Sequence, residues 1–150
     1  MAARPTIDDR ARETLDAIDV PVSVARAIRD RRDRILDFRL VFVNQAGGRW
    51  AGIDREALVG RLATEVIPAL RIDGLYEALE RVVLTGERFR ENGYHEGTVA
   101  GGLAFSATFD LMAVRLGDGY LSAWAETPAP AGRPALEAVI ATAQAVLPPG

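Results

Sequence analysis

Ile35-Leu36-Asp37-Phe38-Arg39-Leu40-Val41-Phe42-Val43-Asn44 is the stretch on which the architecture turns. Its aromatic and β-branched content reads as a strand, and Asn44 at its end is a side chain suited to cap a following helix. Just upstream, Val20 to Arg29 alternates, with Val22, Val24 and Ile28 on one side and Ser23 and Arg29 among the others. The polar run Asp30-Arg31-Arg32-Asp33-Arg34 separates the two, so they pair as a hairpin. Downstream, Gly47, Gly48 and Gly52 keep the helical turns of 45–59 short. Asp54 caps Arg55-Glu56-Ala57-Leu58, and Gly60 ends that turn in the left-handed region. Pro68 marks a break. Asp73 caps a longer helix with Leu75, Leu79, Val82 and Val83 on one face and Gly86 as its stop.

Three further strands follow, at 87–96, 103–115 and 120–125. Gly97 to Gly102 is a turn without a phosphate-loop pattern, and Gly117-Asp118-Gly119 is a hairpin turn. In 103–115, Phe105, Phe109 and Leu111 point one way and Asp110 the other. A helix at 6–18, capped by Thr6, precedes all of this. A second, at 135–147, follows the proline-rich linker, with Pro134 in its first turn. The class is α+β: a five-stranded antiparallel sheet with helices on one face, plus N- and C-terminal flanking helices. The divisions are a flanking helix at 1–18, a central domain at 19–127, and a linker with the terminal helix at 128–150. The apolar terminal helices need cover, and pairing two copies through them as a homodimer supplies it. Packing within the chain is the rival.

Composition narrows the function. There is no Cys, which removes disulfides, thiolate metal sites and cysteine nucleophiles and is consistent with a cytoplasmic location. Every basic residue is Arg, which removes Schiff-base and P-loop lysine chemistry. A net charge of −3 argues against nucleic acid and anionic membranes as general partners. No apolar run reaches the length of a signal peptide's core or a membrane span.

Three stretches together resemble a PAS domain of the bacterial signal-transduction type. They are the strand ending in Asn44-Gln45-Ala46, the turn Arg55-Glu56-Ala57-Leu58-Val59-Gly60-Arg61, and the helix from Leu75 to Thr85-Gly86-Glu87. Many family members end their last strand in Asp-Ile/Val-Thr. Here the acid and the threonine of Ala125-Glu126-Thr127 are adjacent. The resemblance implies a sensor that binds a small ligand or a protein and signals through its flanking helices to an output kinase, phosphatase or cyclase. Cofactor identity stays open. The absence of Cys excludes a cysteinyl flavin photoadduct, and haem is unsupported because the one histidine, His95, falls in a strand rather than on the long helix.

The candidate pocket residues are Asn44, Trp50, Phe105, Phe109 and Trp124, since small-molecule sites combine aromatic walls with few polar groups. Ordinary core packing is the plain alternative for the aromatics, and helix capping for Asn44. His95 reads as a strand residue, Asp37 and Asp110 as unlinked carboxylates, and the arginines of 26–39 as a solvated hairpin tip. Two rival functions remain: a small-pocket α+β enzyme of isomerase or hydratase type, and a protein-interaction domain without ligand. The first requires an Asp or His beside a second titratable group inside the pocket.

Overall fold

The computed structural model describes residues 7–67, 70, 74–98, 104–127 and 131–148, with the backbone alone over 94–98 and 104–107. Its elements run α1 (Asp9–Asp16), β1 (Val22–Arg29), β2 (Ile35–Val43), α2 (Gln45–Ala51), α3 (Arg55–Leu58), α4 (Ala63–Val66), α5 (Leu75–Thr85), β3 (Phe89–Thr98), β4 (Ala104–Arg115), β5 (Gly119–Glu126) and α6 (Leu136–Val146). The strands form one antiparallel sheet in the order β2-β1-β5-β4-β3. The expected class, α+β with five antiparallel strands, is the observed one.

Helices cover both faces of that sheet. The connecting helices α2–α5 pack on Ala25, Ala27, Phe38, Leu40, Leu111 and Ala113. The flanking helices α1 and α6 pack on Val22, Val24, Met112, Val114, Leu121 and Ala123. Successive residues of a strand point to opposite faces. Val22, Ser23, Val24 and Ala25 are therefore all buried, where a half-exposed strand would bury every second one.

A bulge in β2 allots its aromatics between the two layers. Val24 pairs with Phe42 and Ala25 with Leu40, leaving Val41 as the extra residue. An inserted residue reverses the alternation. Phe38 and Leu40 thus join the α2–α5 layer, while Phe42 crosses to the α1–α6 layer.

The cover expected from a second copy is supplied by the chain's own sheet. Leu136, Val139, Ile140, Ala143 and Leu147 of α6 are 0–5% exposed, and Ala11 and Leu15 of α1 complete the same cluster. The sheet-facing stripes of both terminal helices are therefore covered within the chain, while Ala138, Ala141 and Ala145 on the outward side of α6 stay exposed.

The helix ends differ from expectation in detail. Asp8 caps α1, its carboxylate accepting from the Ala11 N–H at 2.8 Å; a carboxylate is both a good N-cap acceptor and favourably placed at the positive helix end. Thr6 lies outside the described residues. Gly74 occupies the cap position of α5, and Asp73 and Pro68 also fall outside them. Ala135 is the cap position of α6, so Pro134 stands before the helix instead of in its first turn.

Two glycines carry backbone requirements. Gly60 has φ +92° as expected, and a Cβ there would meet nothing within 4 Å. Gly60→Ala is therefore expected to cost about 1–2 kcal/mol from left-handed strain alone. A urea midpoint unchanged from the parent would show that the turn relaxes instead. Gly119 opens β5 opposite Arg26 of β1, and a Cβ would fall 1.9 Å from the Ala25 carbonyl oxygen. No side chain fits at that position.

Candidate ligand cavity

A cavity of about 110 Å³ lies between the sheet and α2–α5. β5 supplies part of its wall through Tyr120, Ser122 and Trp124, which alternate onto one face. β1 adds Ser23, β4 adds Phe109 and Leu111, and the helical segments add Trp50 and Leu79 among others.

The structure brings three of the five expected pocket residues together. The Trp50 ring packs edge-on against Phe109 at 5.6 Å and against Trp124 at 5.3 Å, with interplanar angles of 80° and 77°. Edge-to-face packing is the favoured aromatic geometry at such separations. The side chain of Phe105 lies outside the described residues.

Asn44 stands apart from the cavity lining. Its amide is consumed by backbone groups: Oδ1 accepts from Val22 and Gly47 N–H, each at 2.9 Å, and Nδ2 donates to the Leu15 and Val20 carbonyls at 3.0 and 2.9 Å. It is 0% exposed and N-caps α2. Its role is to tie the end of α1 to the β2–α2 junction.

Sequence reading missed the polar groups of the cavity. The Ser23 and Ser122 hydroxyls share a hydrogen bond of 2.7 Å across the β1–β5 ladder, where the two residues are register partners. The indole N–H of Trp124 is buried and has no hydrogen-bond acceptor among the described residues. Burial, and secondarily the charge of Asp37, push the Tyr120 hydroxyl far above the ordinary phenol value. It therefore stays neutral and offers no phenolate. The available signal was two serines inside otherwise apolar strands.

Charged residues named in the sequence have other employment. Asp37 is buried and accepts from the Phe38 N–H at 2.7 Å and from the Thr64 hydroxyl. Asp110 accepts from the Gly93 N–H at 3.1 Å, and β1 and β5 separate its strand from that of Asp37. His95 sits opposite Thr108 in β3, with its side chain outside the described residues. At the hairpin tip Arg29 grips Asp118 through two hydrogen bonds of 3.1 and 2.8 Å, and Arg34 pairs with Asp30 at 3.0 Å. The hydrogen bond from Arg29 holds the Asp118 carboxyl below its usual range, and the backbone N–H of Arg34 does the same for Asp30. Arg29, Arg34 and Arg39, which donates to the Gly60 carbonyl, are thus answered from within the chain.

A family model described as the PAS fold matches residues 36–109. The chain folds as a PAS domain. Among similar solved structures, a domain of the sensory box sensor histidine kinase/response regulator from Geobacter sulfurreducens superposes with a TM-score of 0.56 at 18% identity, over 77% of this chain and 90% of that one. The PAS domain of a protein from Colwellia psychrerythraea reaches 0.53 at 13% identity, over 78% and 93%. The PAS domain of a LuxR-family transcriptional regulator from Burkholderia thailandensis, solved in complex with ethanol, reaches 0.52 at 15% identity, over 82% and 100%. No curated protein sequence matches the chain. The matched stretch opens inside β2 and closes at Phe109, so this PAS fold carries its cavity largely on the matched residues. Among the described residues, no helix is long and apolar enough to cross a membrane.

Proposed function

We propose that this PAS domain is a sensory module that takes a small molecule into the cavity and passes its presence to the flanking helices. One observation carries the reading: β1 and β5 line the cavity with one face and support α1 and α6 with the other. Ser122 and Trp124 face the cavity, while the intervening Ala123 and the preceding Leu121 belong to the α1–α6 layer. A ligand that moves the first pair moves peptide units shared with the second, and so biases the packing of the terminal helices.

The size of the cavity limits the ligand. A cavity of roughly 150 Å³ is known to hold benzene, whereas drug-sized ligands need ~300 Å³ or more. At about 110 Å³ the site suits a molecule of a few heavy atoms and is much smaller than a tetrapyrrole or an isoalloxazine. The ethanol-bound neighbour supports the same scale. Its described lining holds no carboxylate, imidazole or guanidinium, which supports binding over catalysis. The kinase neighbours support a histidine kinase as the output class. Pairing of two copies through the terminal helices would use the outward side of α6, where Ala138, Ala141 and Thr142 are exposed, and light scattering of the intact chain decides it.

Native mass spectrometry of the purified chain, followed by benzene titration, tests the reading. The chain has two tryptophans, and both line the cavity, so intrinsic emission reports on that site. The expected result is a retained small molecule or a saturable change in emission, with altered amide exchange in α6. No retained mass and an unresponsive emission would leave the protein-interaction domain as the better account.

A further inference from the structure

The cavity's unmet hydrogen-bonding groups specify a ligand class. We infer that the ligand is a neutral, mainly apolar molecule of about four to six heavy atoms bearing one oxygen acceptor, as in a small ketone or cyclic ether. The inference deepens the reading above and rests on it.

Two donors in the site lack an acceptor among the described residues. A pair of serine hydroxyls has two O–H groups, and the mutual bond between Ser23 and Ser122 uses one of them. Both residues are nearly buried and line the cavity, and with no other hydrogen bond of the pair among the described residues the second O–H is left to donate toward the cavity. The second unmet donor is the Trp124 indole N–H, closed off from solvent beside the same cavity. The edge-to-face Trp50 ring at 5.3 Å offers it at most a π face, a weaker partner than a carbonyl oxygen. A buried donor left unmet costs about 1–3 kcal/mol, so a ligand oxygen that satisfies either one recovers part of that cost on binding.

Charge decides the rest. An anion would enter with no cation among the described lining residues, and burying an unpaired charge is strongly unfavourable. The ring of Trp50, Phe109, Tyr120 and Trp124 has the makings of a cage for a quaternary ammonium. Two spare donors and no lining carboxylate disfavour a cation as well.

Probes of five or six heavy atoms test this by tryptophan emission: cyclopentane, cyclopentanone, cyclopropanecarboxylate and tetramethylammonium. Cyclopentanone is expected to bind about fivefold tighter than cyclopentane, the scale of one net hydrogen bond, and both charged probes more weakly than either. The Ser23→Ala/Ser122→Ala double variant removes both partners of the pair together, a change that leaves folding nearly neutral. It should narrow the ketone preference. In the parent protein the ketone, and not the alkane, should shift the Trp124 indole N–H resonance. Equal affinity for ketone and alkane overturns the acceptor inference while leaving ligand binding intact. Preference for the carboxylate or for tetramethylammonium overturns neutrality. Binding of none of the four, together with the failure of benzene, removes the ligand-binding reading itself.

Discussion

Asn44→Ala is expected to destabilise the domain by about 3–4 kcal/mol, although Asn44 touches no cavity and its substitution removes little apolar surface. The cost comes from what is left behind. Val22 and Gly47 lose the acceptor of their N–H groups, and the Leu15 and Val20 carbonyls lose their donor, all around a side chain that is 0% exposed. Each buried group left unmet costs on the order of 1–3 kcal/mol, reduced where water can enter the space vacated. For a chain of this length the loss corresponds to a drop of ~6–15 °C in Tm. Asn44→Asp provides the sharper comparison. It keeps an acceptor for Val22 and Gly47 but turns a carboxylate oxygen toward the two carbonyls, so it should be no better than the alanine variant. If instead Asp restores most of the stability, the carbonyl contacts are dispensable and only the helix cap matters. Hydrogen exchange at α1 separates the two outcomes, because the Leu15 bond is one of the tethers of that helix and the only one Asn44 supplies to it.

How far the sequence could be read follows from which forces are local. Five strands, the long helix and the Gly60 turn were legible because each is written in alternation, helical spacing or a backbone requirement within a few residues. The meeting of Trp50, Phe109 and Trp124 was legible only as a guess, since nothing local brings α2, β4 and β5 together. The Val41 bulge was not legible at all. A run of Phe38, Leu40 and Phe42 reads as one face, and only the Val24–Phe42 and Ala25–Leu40 pairing shows that Phe42 has crossed over. The serine pair escaped for the same reason: Ser23 and Ser122 are far apart in the chain and meet only through β1–β5 register. Asn44 was legible as a cap, but its bonds to α1 depend on where the flanking helix docks. The apolar terminal helix was read correctly as needing cover. Packing within the chain, the rival to pairing of two copies, covers its inward side, and alternation in β1 did not reveal that both faces of the sheet are buried.

Removal of α6, by ending the chain after Thr127, is expected to abolish the folded domain instead of releasing a well-behaved monomer. Leu136, Val139, Ile140 and Leu147 are almost fully buried against the sheet, and each such side chain contributes about 1.5–3 kcal/mol by area. Their loss also bares Leu121, Ala123, Met112 and Val114 on β4 and β5, side chains that are 0–5% exposed in the intact chain. Against a typical net stability of about 5–15 kcal/mol, the combined loss removes most or all of the margin. The truncated chain should bind a hydrophobic dye, lose its near-ultraviolet circular dichroism and aggregate. Point variants separate burial from association. Ile140→Asp puts a charge into the covered stripe and should unfold the domain to a similar degree. Ala141→Asp, one residue along on the exposed side, should change the urea midpoint little, by about 0.5 kcal/mol or less. A truncated chain that unfolds cooperatively at the parent's midpoint would show that the sheet tolerates an open face and that α6 serves a partner outside its own domain. The opposite result makes α6 part of the core, and any signal it transmits must then be a shift between packed arrangements, not a release of the helix from the sheet.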